Sequence, residues 1–281
     1  MGNPYAHVTQ KLTHTFLGIS VIGLGAGMNL GVVGKVGAQG VGYTVLGIST
    51  AIVFGTLLGK WLKTSKDTSL LITVGTAICG GSAIAAVAPV IRAKSHEVSV
   101  ALGIVFVLNA LALFIFPKIG HIYSLSESQF GLWSALAIHD TSSVVGATLQ
   151  YGSRAVEVGT TVKLARALWI VPVAFAIGIY RSRTDLNHST SKVQGKKPWF
   201  ILGFLVAAAV MTLFPELQKL GHQIEGVAKR ILVLTLFLIG SNLTRSTLKS
   251  VGLKPFVQGV SLWAIMASLS LLGVVTGWIH L

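Results

Sequence analysis

The chain has 281 residues, of which 52% are hydrophobic and 11% charged, well under the charged share of an ordinary soluble domain. Its 22 Lys and Arg against 8 Asp and Glu give a formal charge of +14. These basic residues sit in short connections between apolar runs, a pattern that anionic lipid and the positive-inside rule produce, and one that excludes nucleic acid as the natural partner.

Cys79 is the single cysteine, so no intrachain disulfide forms. Residues 1 to 14 are polar and the run after them lacks a cleavage site, so no removable signal peptide is read. Nine membrane segments are predicted. The first is Thr15 to Val33 and the second Gly40 to Leu62. The third, Thr68 to Ile91, is interrupted by Gly80, Gly81 and Pro89. The fourth is Val98 to Pro117, and the fifth Ser128 to Gly152. The sixth is Lys163 to Tyr180, the seventh Pro198 to Phe214, the eighth Ile231 to Leu243 and the ninth Phe256 to Ile279. Runs this long and uniformly apolar read as membrane helices; a β-barrel would alternate. The fold class is therefore an all-α polytopic membrane protein, with residues 1–281 as one transmembrane domain. Residues 181–197 form its one substantial polar loop outside the membrane.

With nine crossings, 13 Lys and Arg fall on the side of the N-terminus and 9 on the other. That puts the N-terminus and the 181–197 loop in the cytoplasm. A faint internal echo pairs Ala77, Ile78 and Ser82 with Ala137, Ile138 and Ser142. Another pairs Asn29 with Asn242. Duplication of this kind suits transporters built from repeats whose broken helices meet near the midplane.

The fifth segment carries His139 and Asp140 near its centre. A carboxylate at that depth costs at least a few kcal/mol on insertion scales, so it normally faces a cavity or a protein partner and marks a substrate or ion path. Thr141, Ser142 and Ser143 follow; they either satisfy backbone groups or line the same pocket. In the third segment Gly80, Gly81 and Ser82 read either as tight helix packing or as a break whose amides face an anion. Asn109 is either an interhelical hydrogen bond or part of the site. Lys163 and Arg166 are three apart on one helical face, and either snorkel to headgroups or balance an anion. Cys79 with His139 fits no zinc spacing, and no Walker lysine or other cofactor motif is present.

Several stretches together resemble the YeiH-like sulfate exporter family. They are Cys79-Gly80-Gly81-Ser82-Ala83-Ile84 with Ala88-Pro89-Val90-Ile91, Phe116-Pro117-Lys118-Ile119-Gly120-His121, His139 to Ala147, and Thr161 to Arg166 followed by Pro172. The resemblance covers nearly the whole chain. It implies a bacterial inner-membrane, multi-pass protein with inverted repeats and broken helices, like sodium–proton antiporters and bile-acid transporters. It also implies a secondary transporter, not an enzyme, that exports a small anion such as sulfate, sulfite or an organosulfonate, with a proton or sodium ion as the coupling partner. A homo-oligomer is compatible with this. Two other readings stand beside it: an intramembrane enzyme built on His139, Asp140 and Cys79, and a passive anion channel. Family members usually begin with further hydrophobic sequence, so a preceding span is expected to be missing before Met1.

Overall fold

The structure, a computed structural model, describes residues 6–27, 30–185, 199–241 and 252–280. The second echo (Asn29 and Asn242) and most of the polar loop lie outside these residues. Within them the chain is helical, with no strand. Helices α1 (Ala6–Ala26) and α2 (Leu30–Trp61) precede two short helices, α3 (Lys66–Ala77) and α4 (Gly81–Ile91). The long α5 (Ser95–Ile122) leads to another short pair, α6 (Glu127–Ala137) and α7 (Thr141–Leu149). Then come α8 (Ser153–Ala167), α9 (Ile170–Asp185), α10 (Trp199–Leu213), α11 (Gln218–Ser241) and α12 (Leu253–Val275). Helix α9 continues through Arg181 to Asp185, so the polar loop begins later than its composition suggests.

Four stretches are long and apolar enough to cross a membrane among the described residues: Gly42–Trp61, Ser95–Ile122, Ser153–Arg181 and Leu253–Val275. The nine-crossing expectation is corrected at the third and fifth segments. Each is a pair of half-helices that enters and turns back. Half-helices of 9 to 12 residues reach about 14–18 Å, roughly half the hydrocarbon thickness.

Contacts at the bases of the two pairs show the reversal. Ser65, at the start of α3, donates from its hydroxyl to Glu97 Oε1 at 3.1 Å. Glu97 lies just after the end of α4, so both ends of the first pair are on one side. Arg181 pairs with Asp67, and Val90 packs by Gly178, which ties the same end to α9. In the second pair, Tyr151 donates its hydroxyl to the Leu125 carbonyl at 2.7 Å, and the Arg154 amide donates to Glu127 Oε2 at 2.8 Å. Phe130 and Tyr151 stack with centroids 3.8 Å apart. Helix α5 runs from the first base, at Glu97, to the second, where His121 stacks on Tyr151. The two hairpins therefore open on opposite ends of α5, and their tips meet about halfway along it.

Helices α2 and α12 close around these tips. Gly55 and Gly59 of α2 leave room for Thr73 and Ser69 of α3, and Gln258 of α12 donates to Ser69 Oγ at 2.8 Å and to the Gly55 carbonyl at 3.1 Å. Helix α1 packs instead on α10 and α11, where Gly23 meets Ala228 and Gly203 meets Ile22. Among the described residues this trio touches the other helices sparingly.

Candidate functional site

The tips form where each half-helix pair breaks. In the first hairpin α3 stops at Ala77, and Gly80 turns the chain at φ +66°. That left-handed conformation suits glycine. A Cβ there would also come within 3.1 Å of His139 Cβ and 3.2 Å of Val105. In the second hairpin the break depends on a cap instead. Asp140 is the N-cap of α7: its Oδ1 accepts the Ser143 amide at 2.7 Å and its Oδ2 the Ser143 hydroxyl at 3.0 Å. Such a cap is worth ~1 kcal/mol.

Asn109 of α5 holds this second tip. Its Nδ2 donates to Asp140 Oδ2 at 2.6 Å. Its Oδ1 accepts the His139 and Asp140 amides at 3.2 and 3.3 Å. The two tips then join through His139, whose Nε2 lies 3.1 Å from Thr76 Oγ1. The Thr76 hydroxyl is also 3.0 Å from the Ile72 carbonyl. With its one proton placed on that carbonyl, His139 donates from Nε2 and presents Nδ1 as a bare acceptor. Nδ1 is buried without a partner.

Two cations of α8 close the carbonyl ends. Lys163 and Arg166 are each 1% exposed. The Lys163 ammonium donates to the carbonyls of Ile138 at 2.5 Å and of Ile78 and Ala135 at 3.2 Å. Three acceptors match the three N–H groups of an ammonium. Arg166 donates from Nε to Ala77 at 2.9 Å, from Nη2 to Ala77 at 2.5 Å and Thr76 at 3.3 Å, and from Nη1 to Leu136. Both side chains thus bind the last carbonyls of α3 and of α6 together. Those ends carry roughly half a negative charge each, which offsets about one of the two cations.

The structure brings Gly80, Asn109, His139, Asp140, Ser143, Lys163 and Arg166 into one cluster. Gly81 sits apart from the polar groups, partly exposed beside Leu102 and Phe106. Ser82 and Thr141 are half-buried at the starts of α4 and α7. The Ser142 side chain lies outside what is described. Thr76 and Trp263 join the cluster without having been expected; Trp263 Nε1 donates to the Ala137 carbonyl at 3.1 Å. A threonine one turn before a break, and a tryptophan in an apolar helix, carry no sequence signal of their own. Among the described residues no group of three or more His, Cys, Asp or Glu could hold a metal.

A cavity of about 480 Å³ lies between α2 and α12, on the carbonyl side of the tips. Arg166 and Leu136 reach it, and Tyr43, Trp278 and Ile279 stand towards its other end. Gly80, Gly81 and Ser82 are not among its lining residues.

Comparison with known proteins gives the family. The model of conserved hypothetical protein 698 matches residues 3–259. A UPF0324 membrane protein of Bdellovibrio bacteriovorus is 66% identical over 285 aligned positions, covering 100% of this chain and 86% of that one. One from Geobacter sulfurreducens is 49% identical, covering 98% of this chain and 86% of its own length. One from Bacteroides thetaiotaomicron is 47% identical, covering 95% and 79%. No solved structure matches. The chain therefore belongs to the UPF0324 family of membrane proteins, which the YeiH-like motifs had indicated.

Proposed function

We propose that this chain is a secondary transporter of a small anion, working from the paired hairpin tips. The observation that carries the reading is the charge at the tips. With Lys163, Arg166 and Asp140 ionised, two cations stand against one carboxylate. The four half-helix ends contribute roughly half a unit each, two of each sign, and cancel. One positive charge is left over at mid-membrane depth. An anionic cargo neutralises it, and so large a cost is hard to explain on structural grounds alone.

Two oppositely inserted hairpins support an inverted repeat, in which α3–α4–α5 corresponds to α6–α7–α8. Alternating access then exposes the tips to each side in turn. His139, with its unpaired Nδ1 beside Gly80, is the proposed site of a coupling proton, and Asp140 holds the second tip and balances charge. Gly80 to Ser82 and Thr141 to Ser143 shape the amide side of the tips. The resemblance makes sulfate, sulfite or an organosulfonate the first cargoes to test.

The setting is the inner membrane of a bacterium, with the hairpin base at Ser65 and Glu97 in the cytoplasm. Lys60, Lys63, Lys66, Arg92, Lys94, Arg181 and Lys254 all fall at that end, against Lys118 and Arg154 at the other. The positive-inside rule assigns the sides.

Proteoliposomes loaded with a panel of labelled anions test the function, with and without pH and sodium gradients. Saturable uptake with counterflow, driven by one of the gradients, is the expected result. Flux without counterflow identifies a passive channel, and no flux of any anion removes the proposal.

A further inference from the structure

The cargo class is written in the cavity between α2 and α12. The surplus positive charge is not spread evenly over the tips. On the amide side, Asp140 caps the α7 N-terminus, and the α4 and α7 N-termini, roughly half a positive charge each, offset its one negative charge. On the carbonyl side, Lys163 and Arg166 face two C-termini that together offset only one of them. The unbalanced charge therefore sits on the carbonyl side, where Arg166, 1% exposed, borders the cavity.

The cavity itself is apolar. Leu46, Leu136, Met266 and Leu269 line it, with the hydroxyl-bearing Tyr43, Thr50, Ser270 and Thr276, and Arg166 is its one charged liner among the described residues. Its volume of about 480 Å³ falls in the range of sites for organic molecules, which combine apolar walls with a few placed polar groups. Carbonyl contacts account for at most four of the five guanidinium N–H groups, so an Nη1 proton is left to donate. A bare sulfate would lose its hydration against such walls and gain little.

We infer that the cavity binds an organic anion with an apolar body, its sulfonate or carboxylate head at Arg166 and its body between α2 and α12. This deepens the transporter reading and rests on it for the cargo's fate, though not for binding.

Gly47 of α2 is the handle for a test. It lines the cavity, and a Cβ built there meets nothing within 4 Å. Gly47→Phe therefore fills the cavity without a clash at its Cβ. The full chain is placed in lipid nanodiscs, with empty nanodiscs as the blank, and binding of labelled hexanesulfonate is measured. Hexanesulfonate is expected to bind saturably, with hexanol and sulfate each competing at least tenfold more weakly. Gly47→Phe is expected to weaken binding at least tenfold while the melting temperature stays within a few degrees of wild type; Leu269→Trp, from the opposite wall, should do the same. Equal competition by hexanol would reveal an apolar crevice indifferent to Arg166, and undiminished binding in both filled variants would put the ligand elsewhere; either overturns the inference. Retained phospholipid that Gly47→Phe expels, with no hexanesulfonate binding, overturns it in favour of a lipid seat. Binding as expected with no flux in proteoliposomes preserves this inference and removes the transporter reading. Saturable sulfate flux that Gly47→Phe leaves intact, with no hexanesulfonate binding, does the reverse.

Discussion

Thr76 and His139 are 63 positions apart in sequence and 3.1 Å apart in space, Oγ1 to Nε2. Each stands at the inner end of a different hairpin, so this contact is where the two half-membrane insertions become one structure. Thr76→Val keeps the shape and leaves the buried imidazole without that partner, at a cost of about 1–3 kcal/mol. Melting of Thr76→Val, His139→Leu and the double variant in detergent should show coupling of at least ~0.5 kcal/mol. Strict additivity would mean the tips do not hold each other through this pair.

The hairpins make a topological claim that differs from nine crossings. Single cysteines at Lys63 and at Lys94, in a Cys79→Ser background, should both resist impermeant thiol reagents in intact cells. Cysteines at Ser124 and Ser153 should both label. Under nine crossings positions 63 and 94 lie on opposite sides, so labelling of one and not the other would sink the hairpin.

Length could not have revealed this. A segment such as Thr68 to Ile91 is long enough to cross, and residue counts do not separate a crossing from a return. The sequence did hold a usable sign: Lys63 and Lys66 flank one end of that segment, and Arg92 and Lys94 the other. A true crossing rarely carries positive charge at both ends. The break at Gly80-Gly81 stood among the readings of the third segment, and the buried Asp140 carboxylate marked the second tip, though not that the helix breaks there. The way Lys163 and Arg166 work was not legible. Their spacing placed them on one face, but only the fold shows that this face meets six carbonyls at the ends of two half-helices, those of Thr76, Ala77 and Ile78 and those of Ala135, Leu136 and Ile138.

Lys163→Met and Arg166→Met should each destabilise the protein, by about 1–3 kcal/mol for each buried carbonyl left without a donor. Size-exclusion profiles and melting after mild solubilisation provide the measurement. A variant that melts like the wild type would show that the α3 and α6 carbonyl ends find solvation elsewhere.

Asp140→Asn retains an N-cap acceptor and removes the charge. Insertion should be near normal, the melting temperature should fall because the Asn109 amide loses its acceptor, and anion flux in proteoliposomes should be lost or should no longer respond to the ion gradient. Wild-type rate and pH dependence in this variant would make Asp140 purely structural.

Gly80→Ala places a side chain at φ +66°, within 3.1 Å of His139 Cβ. It should cost at least ~1 kcal/mol from the left-handed backbone alone and more from the contact. Gly81→Ala, with 3.5 Å to its nearest neighbour, is the matched control and should be mild; equal melting of the two would contradict the tip geometry.

Because Lys163 and Arg166 each grip carbonyls from both hairpins, the tips share their fastenings. Prising one hairpin from the other would leave two cations and two rows of carbonyls bare in hydrocarbon, a far larger loss than any single cargo ion could offset. The hairpins and α8 are thus bound to travel together. Among the described residues, the sparse seam lies between this body and the α1, α10 and α11 trio. Any large relative motion among the described residues would move that block whole against the trio.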